Sequence, residues 1–126
     1  MKSNQLAIWL RWVALIIMGL FVAFMLFMGI GEMVGGEFSG IGHLLPALIG
    51  VGLLILAWKK PILGGFILLA LGIISSLYFA GRLNLANLIS LPVLIMGAPF
   101  LLSGLIFLVV GGLNRSNHLA QQPKDE

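Results

Sequence analysis

Two carboxylates and an imidazole stand close together along this chain: Glu32, Glu37 and His43. Brought to one point, such a set binds a divalent metal or relays protons. Their spacings of five and six do not match the three or four that put helical ligands on one face. The favoured reading is therefore a solvated outer loop, a polar face that blunts the membrane edge. Arg82 is the cation placed to join it, and an exposed Glu32–Arg82 pair would add only about 0–1 kcal/mol. Arg11 interrupts an apolar run, where a charge at a helix centre costs about 2.5–3.5 kcal/mol. It lies near the helix start, however, and its long side chain can reach the headgroups, so snorkelling is favoured over a ligand role. Ser75, Ser76 and Ser103 are the main polar groups inside apolar stretches.

Several chemistries find no support. The chain has no cysteine, which removes disulfides, thiolate metal sites and thiol redox chemistry. His43 and His118 sit at or beyond helix ends, whereas a haem held between helices needs histidine within them. The glycines from Gly29 to Gly42 follow no strand, lack G-x-G-x-x-G and share an acidic segment that repels phosphate, so they read as a flexible connection. Met18, Phe21, Met25 and Met28 read as soft packing or lipid contact, not as a cofactor box. No nucleophile–base pair is visible. The expectation is a chain with no catalytic residues, no metal and no cofactor, and therefore not an enzyme.

The elements that carry these residues are easier to read. Residues 12–31, 38–58, 61–81 and 83–114 contain no Asp, Glu, Lys or Arg. The composition is 60% hydrophobic and 9% charged, with mean hydropathy +1.15. A soluble domain carries about 25% charged residues. Lipid must therefore cover this one, and the class is an all-α integral membrane four-helix bundle. Helices are expected over about 7–30, 41–58, 61–80 and 90–113, forming one transmembrane domain over 1–113. A polar, disordered tail is expected over 114–126. The run up to Ile30 is too long for a signal peptide and reads as a retained helix. Lys59-Lys60-Pro61 is a turn too short for anything but an antiparallel hairpin, with proline at the first helical position. Ser90 before Leu91-Pro92 reads as a helix cap. Leu45-Pro46-Ala47-Leu48-Ile49 and Leu91-Pro92-Val93-Leu94-Ile95 form a faint repeat.

Orientation follows from the cations. With four spans, Lys2, Arg11, Lys59, Lys60, Arg115 and Lys124 share one side and Arg82 stands alone on the other. That bias places both termini in the cytoplasm, with Trp9, Trp12 and Trp58 at the same interface. Arg11, Lys59 and Lys60 join the tryptophans as interface anchors. The cations are explained by the membrane, so the pI of 9.8 does not call for nucleic acid. Gly65 and Gly72, and likewise Gly97, Gly104 and Gly111, recur every seven residues. They form stripes on which helices approach closely. Helix 3 is expected to pack on helix 4 along this stripe; a dimer face on helix 4 is the rival reading, and the sequence does not separate them. Pro99 breaks one backbone bond and predicts a kink, a candidate hinge only if the protein transports.

Leu45-Pro46-Ala47-Leu48, with Ala57-Trp58-Lys59-Lys60-Pro61-Ile62-Leu63-Gly64-Gly65, resembles small uncharacterised four-span proteins of prokaryotes. The Ala-Trp-Lys turn with its glycine pair is the distinctive part. Those families are classed as domains of unknown function, so the resemblance implies fold and membrane location and no activity. Small multidrug exporters place a glutamate in their first span, and Trp12 to Ile30 holds none. The leading expectation is a non-catalytic accessory or assembly subunit of the cell membrane acting through helix packing. It would partner the lipid bilayer and a membrane protein or a second copy. A small oligomeric transporter or channel is the alternative.

Overall fold

The computed structural model describes residues 3–83 and 91–122. It contains four long helices: α1 (Ser3–Val34), α2 (Ile41–Lys59), α3 (Pro61–Leu83) and α4 (Leu91–Ala120). A single 3₁₀ turn, Phe38–Gly40, precedes α2. There is no strand among the described residues. Each helix holds a segment long and apolar enough to cross a membrane. The chain is thus a multi-pass membrane protein by composition and helix length.

The helices form a ring in chain order, with α4 closing back on α1. The α3–α4 contact is the most extensive and the α2–α3 contact the slightest of the four. Ala14, Met18, Phe21, Val22 and Met25 point inward from α1 at helical spacing. They meet Leu68 of α3 and Phe100 and Phe107 of α4. Phe21 and Phe100 pack edge to face, centroids 5.0 Å apart. The Met/Phe stripe is therefore core over three of its four members, and only Met28 is exposed. Leu20, Phe27, Leu48 and Phe66 face outward, as lipid-facing positions should.

Three boundaries differ from the sequence expectation. α1 starts at Ser3 and reaches Val34, so Glu32 lies in its last turn and not on a loop. It stops there because Gly36 adopts φ +85°, a left-handed conformation that costs glycine little. Glu37 N–H then donates to the Glu32 carbonyl at 2.9 Å and Gly36 N–H to the Met33 carbonyl at 3.1 Å. This paired closure satisfies the helix's last carbonyls. α3 runs to Leu83 instead of ending near Ala80. α4 continues through residues 114–120, where polar composition predicts a tail. No proline follows Pro99 until Pro123, and Asn117 donates to the Asn4 side chain at 2.8 Å, tying the last turns of α4 to the start of α1.

Pro46 is the sixth residue of α2 while Pro92 is the second of α4, so the faint repeat does not keep its register within the helices. The Ser90 cap, Lys2, Lys124 and most of the third connection lie outside the described residues.

Candidate functional site

The weak α2–α3 contact has a local cause. At the turn the two helices are pinned: Lys60 N–H donates to the Leu56 carbonyl at 2.7 Å and Gly64 N–H to the Lys60 carbonyl at 2.9 Å. A Cβ on Gly64 would overlap the Ala57 backbone, so the helices touch there. At its other end α2 leans on α1 instead. Gly40 and Gly29 meet backbone to backbone, and a side chain on Gly50 would meet Val22. Held at one end by α3 and along its length by α1, α2 leaves a cleft.

The cleft has a volume of about 470 Å³, within the range of small-molecule sites. Phe21 and Met25 of α1 lie at its base, and Met96 and Phe100 of α4 complete the inner wall. Leu45, Pro46 and Ile49 form one side and Leu71 and Ser75 the other. Leu45 and Ile49 are exposed on the outer surface, so the cleft opens sideways, where lipid would be.

Its mouth is polar. Ser39, Gly42 and His43 line the cavity at the acidic end. His43 Nε2 lies 3.2 Å from Glu32 Oε1. The Ser39 hydroxyl is 3.1 Å from Glu32 Oε2 and 3.3 Å from Glu37 Oε2; its single proton serves one carboxylate at a time. The closure of α1 at Gly36 is what folds Glu32, Glu37, Ser39 and His43 into one cluster. Pro46 has no N–H, so the carbonyl of Gly42, a residue that lines the cavity, lacks its helical donor. The mouth thus offers an imidazole, a hydroxyl and a carbonyl above an apolar wall. Among the described residues no group of three or more His, Asp or Glu is arranged to hold a metal.

The intramembrane serines do not extend this polarity inward. Ser75 lines the cleft but donates to its own helix, to the Leu71 carbonyl at 2.7 Å. Ser76 packs against Gly97. Ser103 is fully buried and donates to the Ala14 carbonyl of α1 at 3.3 Å. Three hydroxyls point in three directions, and among the described residues no polar path joins them.

The glycine stripes meet between α3 and α4. A Cβ on Gly65 would come 2.9 Å from the Gly104 carbonyl, and one on Gly72 2.8 Å from Leu101. Gly104 faces Leu69 and Gly65, Gly97 faces Ser76, and Gly111 faces Ile62. Pro99 lies within an uninterrupted α4, next in sequence to Phe100, which lines the cleft. The anchors gather at the basic end. Trp12 and Trp58 pack edge to face at 6.2 Å, Arg11 stacks over Trp58 at 5.4 Å, and Trp9 is exposed. Lys59 and Lys60 sit at the adjoining turn. The Arg82 side chain lies outside the described residues, so the Glu32–Arg82 pair is not among the observed contacts.

Sequence reasoning missed Ser39, the Gly29–Gly40 crossing and the stacking of Arg11 on Trp58. Each joins residues on different elements, and only the Gly29-to-Gly42 glycine density hinted at the first two. A family model described as a domain of unknown function (DUF7670) matches residues 1–120. No curated protein and no solved structure matches the chain.

Proposed function

We propose, for a chain that belongs to the DUF7670 family of unknown function, a non-catalytic accessory membrane protein that acts through helix packing. The observation that carries this reading is the sideways cleft between α2 and α3, apolar except at its mouth. A partner's transmembrane helix, or a second copy, would seat bulky apolar side chains there. The locked α3–α4 pair serves as the rigid half and α2 as the contact half. The protein sits in the cell membrane with its basic end in the cytoplasm, following the bias of lysine and arginine. That Ser75, Ser76 and Ser103 are each taken up by separate packing or hydrogen-bond contacts supports packing over conduction.

The test is gentle purification of the full chain from its native membrane, with the copurifying proteins identified. A stoichiometric membrane partner that is lost in Ile49→Trp, which fills the cleft, is the expected result. Recovery as a lone monomer, unchanged by Ile49→Trp, would overturn it.

One observation favours a second reading. The cavity meets a titratable mouth, His43 with Glu32, as a small oligomeric transporter would need. It predicts a purified homo-oligomer that moves protons or a dye across liposomes and stops on His43→Ala.

A further inference from the structure

The end of the molecule opposite the acidic cluster holds a second concavity, about 700 Å³ in volume. Arg11, Lys59, Lys60 and Arg115 all line it, with His118 at its edge. These four cations come from α1, the α2–α3 turn and α4, so the fold collects them from distant parts of the chain. None has an ion-pair partner among the described residues, where the ion pair present joins His43 and Glu32 at the far end. Glu32 and Glu37, the acids among the described residues, both lie at that far end. The start of α3 adds backbone donors. Pro61 has no N–H, and the Ile62 and Leu63 amides are in the first helical turn, where no carbonyl precedes them in register. The helix dipole there favours negative charge.

The floor separates this place from a simple phosphate site. Leu63 and Phe66 line it and are 48% and 61% exposed, so the cations sit directly above bare apolar surface. Trp58 carries Arg11 stacked on its ring, and Trp9 and Trp12 share the level. Indole groups mark the depth of lipid headgroups. Cations with no ion-pair partner among the described residues, at headgroup depth over an apolar wall, match one chemistry: a phosphate on two acyl chains.

We propose that this basic concavity is a binding site for the headgroup of an anionic phospholipid. The phosphate meets Lys60, Arg115 and the α3 amides, and the acyl chains run down past Leu63 and Phe66. The site rests on the membrane placement of the chain and is independent of the accessory reading.

All three tryptophans of the chain lie at this end, which makes their fluorescence a local probe. The full chain is reconstituted in phosphatidylcholine vesicles, and phosphatidylglycerol brominated near its headgroup is titrated in; brominated phosphatidylcholine is the reference. Quenching should show preferential binding of phosphatidylglycerol. Each cation near an anionic surface contributes about fivefold, so Lys60→Gln with Arg115→Gln should reduce the preference on the order of twentyfold. Both residues are exposed, and circular dichroism is used to check that the helices persist. Arg82→Gln, at the opposite end, should leave the preference intact. Equal quenching by the two lipids would overturn the proposal, as would a preference that survives the double variant with its helices intact. Loss of the preference in excess inorganic phosphate, but not in chloride of equal ionic strength, would show a free-anion site and overturn the lipid assignment.

Discussion

Replacing Gly104 with alanine should push α3 and α4 apart. A Cβ there would stand 2.8 Å from the Leu69 nitrogen, 2.9 Å from the Gly65 carbonyl and 2.9 Å from Leu69 Cγ. Two of these neighbours are backbone, so no side-chain rotation relieves the clash and the helix axes must separate. Overpacking of this kind costs about 1–3 kcal/mol. Alanine also favours the helix by about 0.8–1.0 kcal/mol over glycine, which masks part of the loss. Gly112, on the same helix, would place a Cβ with nothing within 4 Å and supplies the control. The propensity gain cancels between the two variants. Gly104→Ala should therefore unfold more easily than Gly112→Ala by about 1–3 kcal/mol, read from reversible unfolding in sodium dodecyl sulfate by circular dichroism. Equal stability of the two variants would refute the close α3–α4 approach. If Gly104→Ala instead separated an oligomer and left the monomer's stability unchanged, the stripe would lie between chains.

Ser103→Ala removes a buried hydroxyl bonded to α1 and should cost about 0.6 kcal/mol, a typical value for an interhelical hydrogen bond in a membrane protein; the same detergent titration measures it. Glu32→Gln weakens a part-exposed contact with His43, and the stability change should stay within about 1 kcal/mol. Gly36→Val places a β-branched residue at φ +85° and should destabilise the closure of α1 by about 1–3 kcal/mol. Hydrogen exchange at the Glu37 amide, which donates to Glu32, should rise with it. Asn117→Ala should speed exchange over residues 114–120 and leave residues 97–111 unchanged, since the bond to Asn4 tethers only the last turns of α4.

The four spans, the Lys59-Lys60-Pro61 hairpin, the segregation of every cation but Arg82 from Glu32 and Glu37 and the seven-residue glycine period were all determined by the amino-acid order alone. Each is a property of one segment, because the cost of leaving an apolar run in water depends on its composition and length and not on its neighbours. Helix ends were less legible. The reach of α1 to Val34 depends on a left-handed glycine, and the continuation of α4 to Ala120 depends on a bond to Asn4. Polar composition argued for a tail, and a tertiary contact outweighed it.

Tertiary structure alone decided which surfaces meet. The glycine stripes favour an α3–α4 face in the sequence but also fit an interchain one, until Gly65 is seen against Gly104. The cleft exists because α2 is pinned to α3 at Gly64 and to α1 at Gly40, two crossings some two dozen residues apart along the chain. Arg11 and Arg115 reach one concavity because α4 closes the ring back on α1. In lipid, helices gain little from hydrophobicity when they associate, so steric fit and a few hydrogen bonds choose the partners. That choice depends on three-dimensional shape, which no count of apolar residues contains.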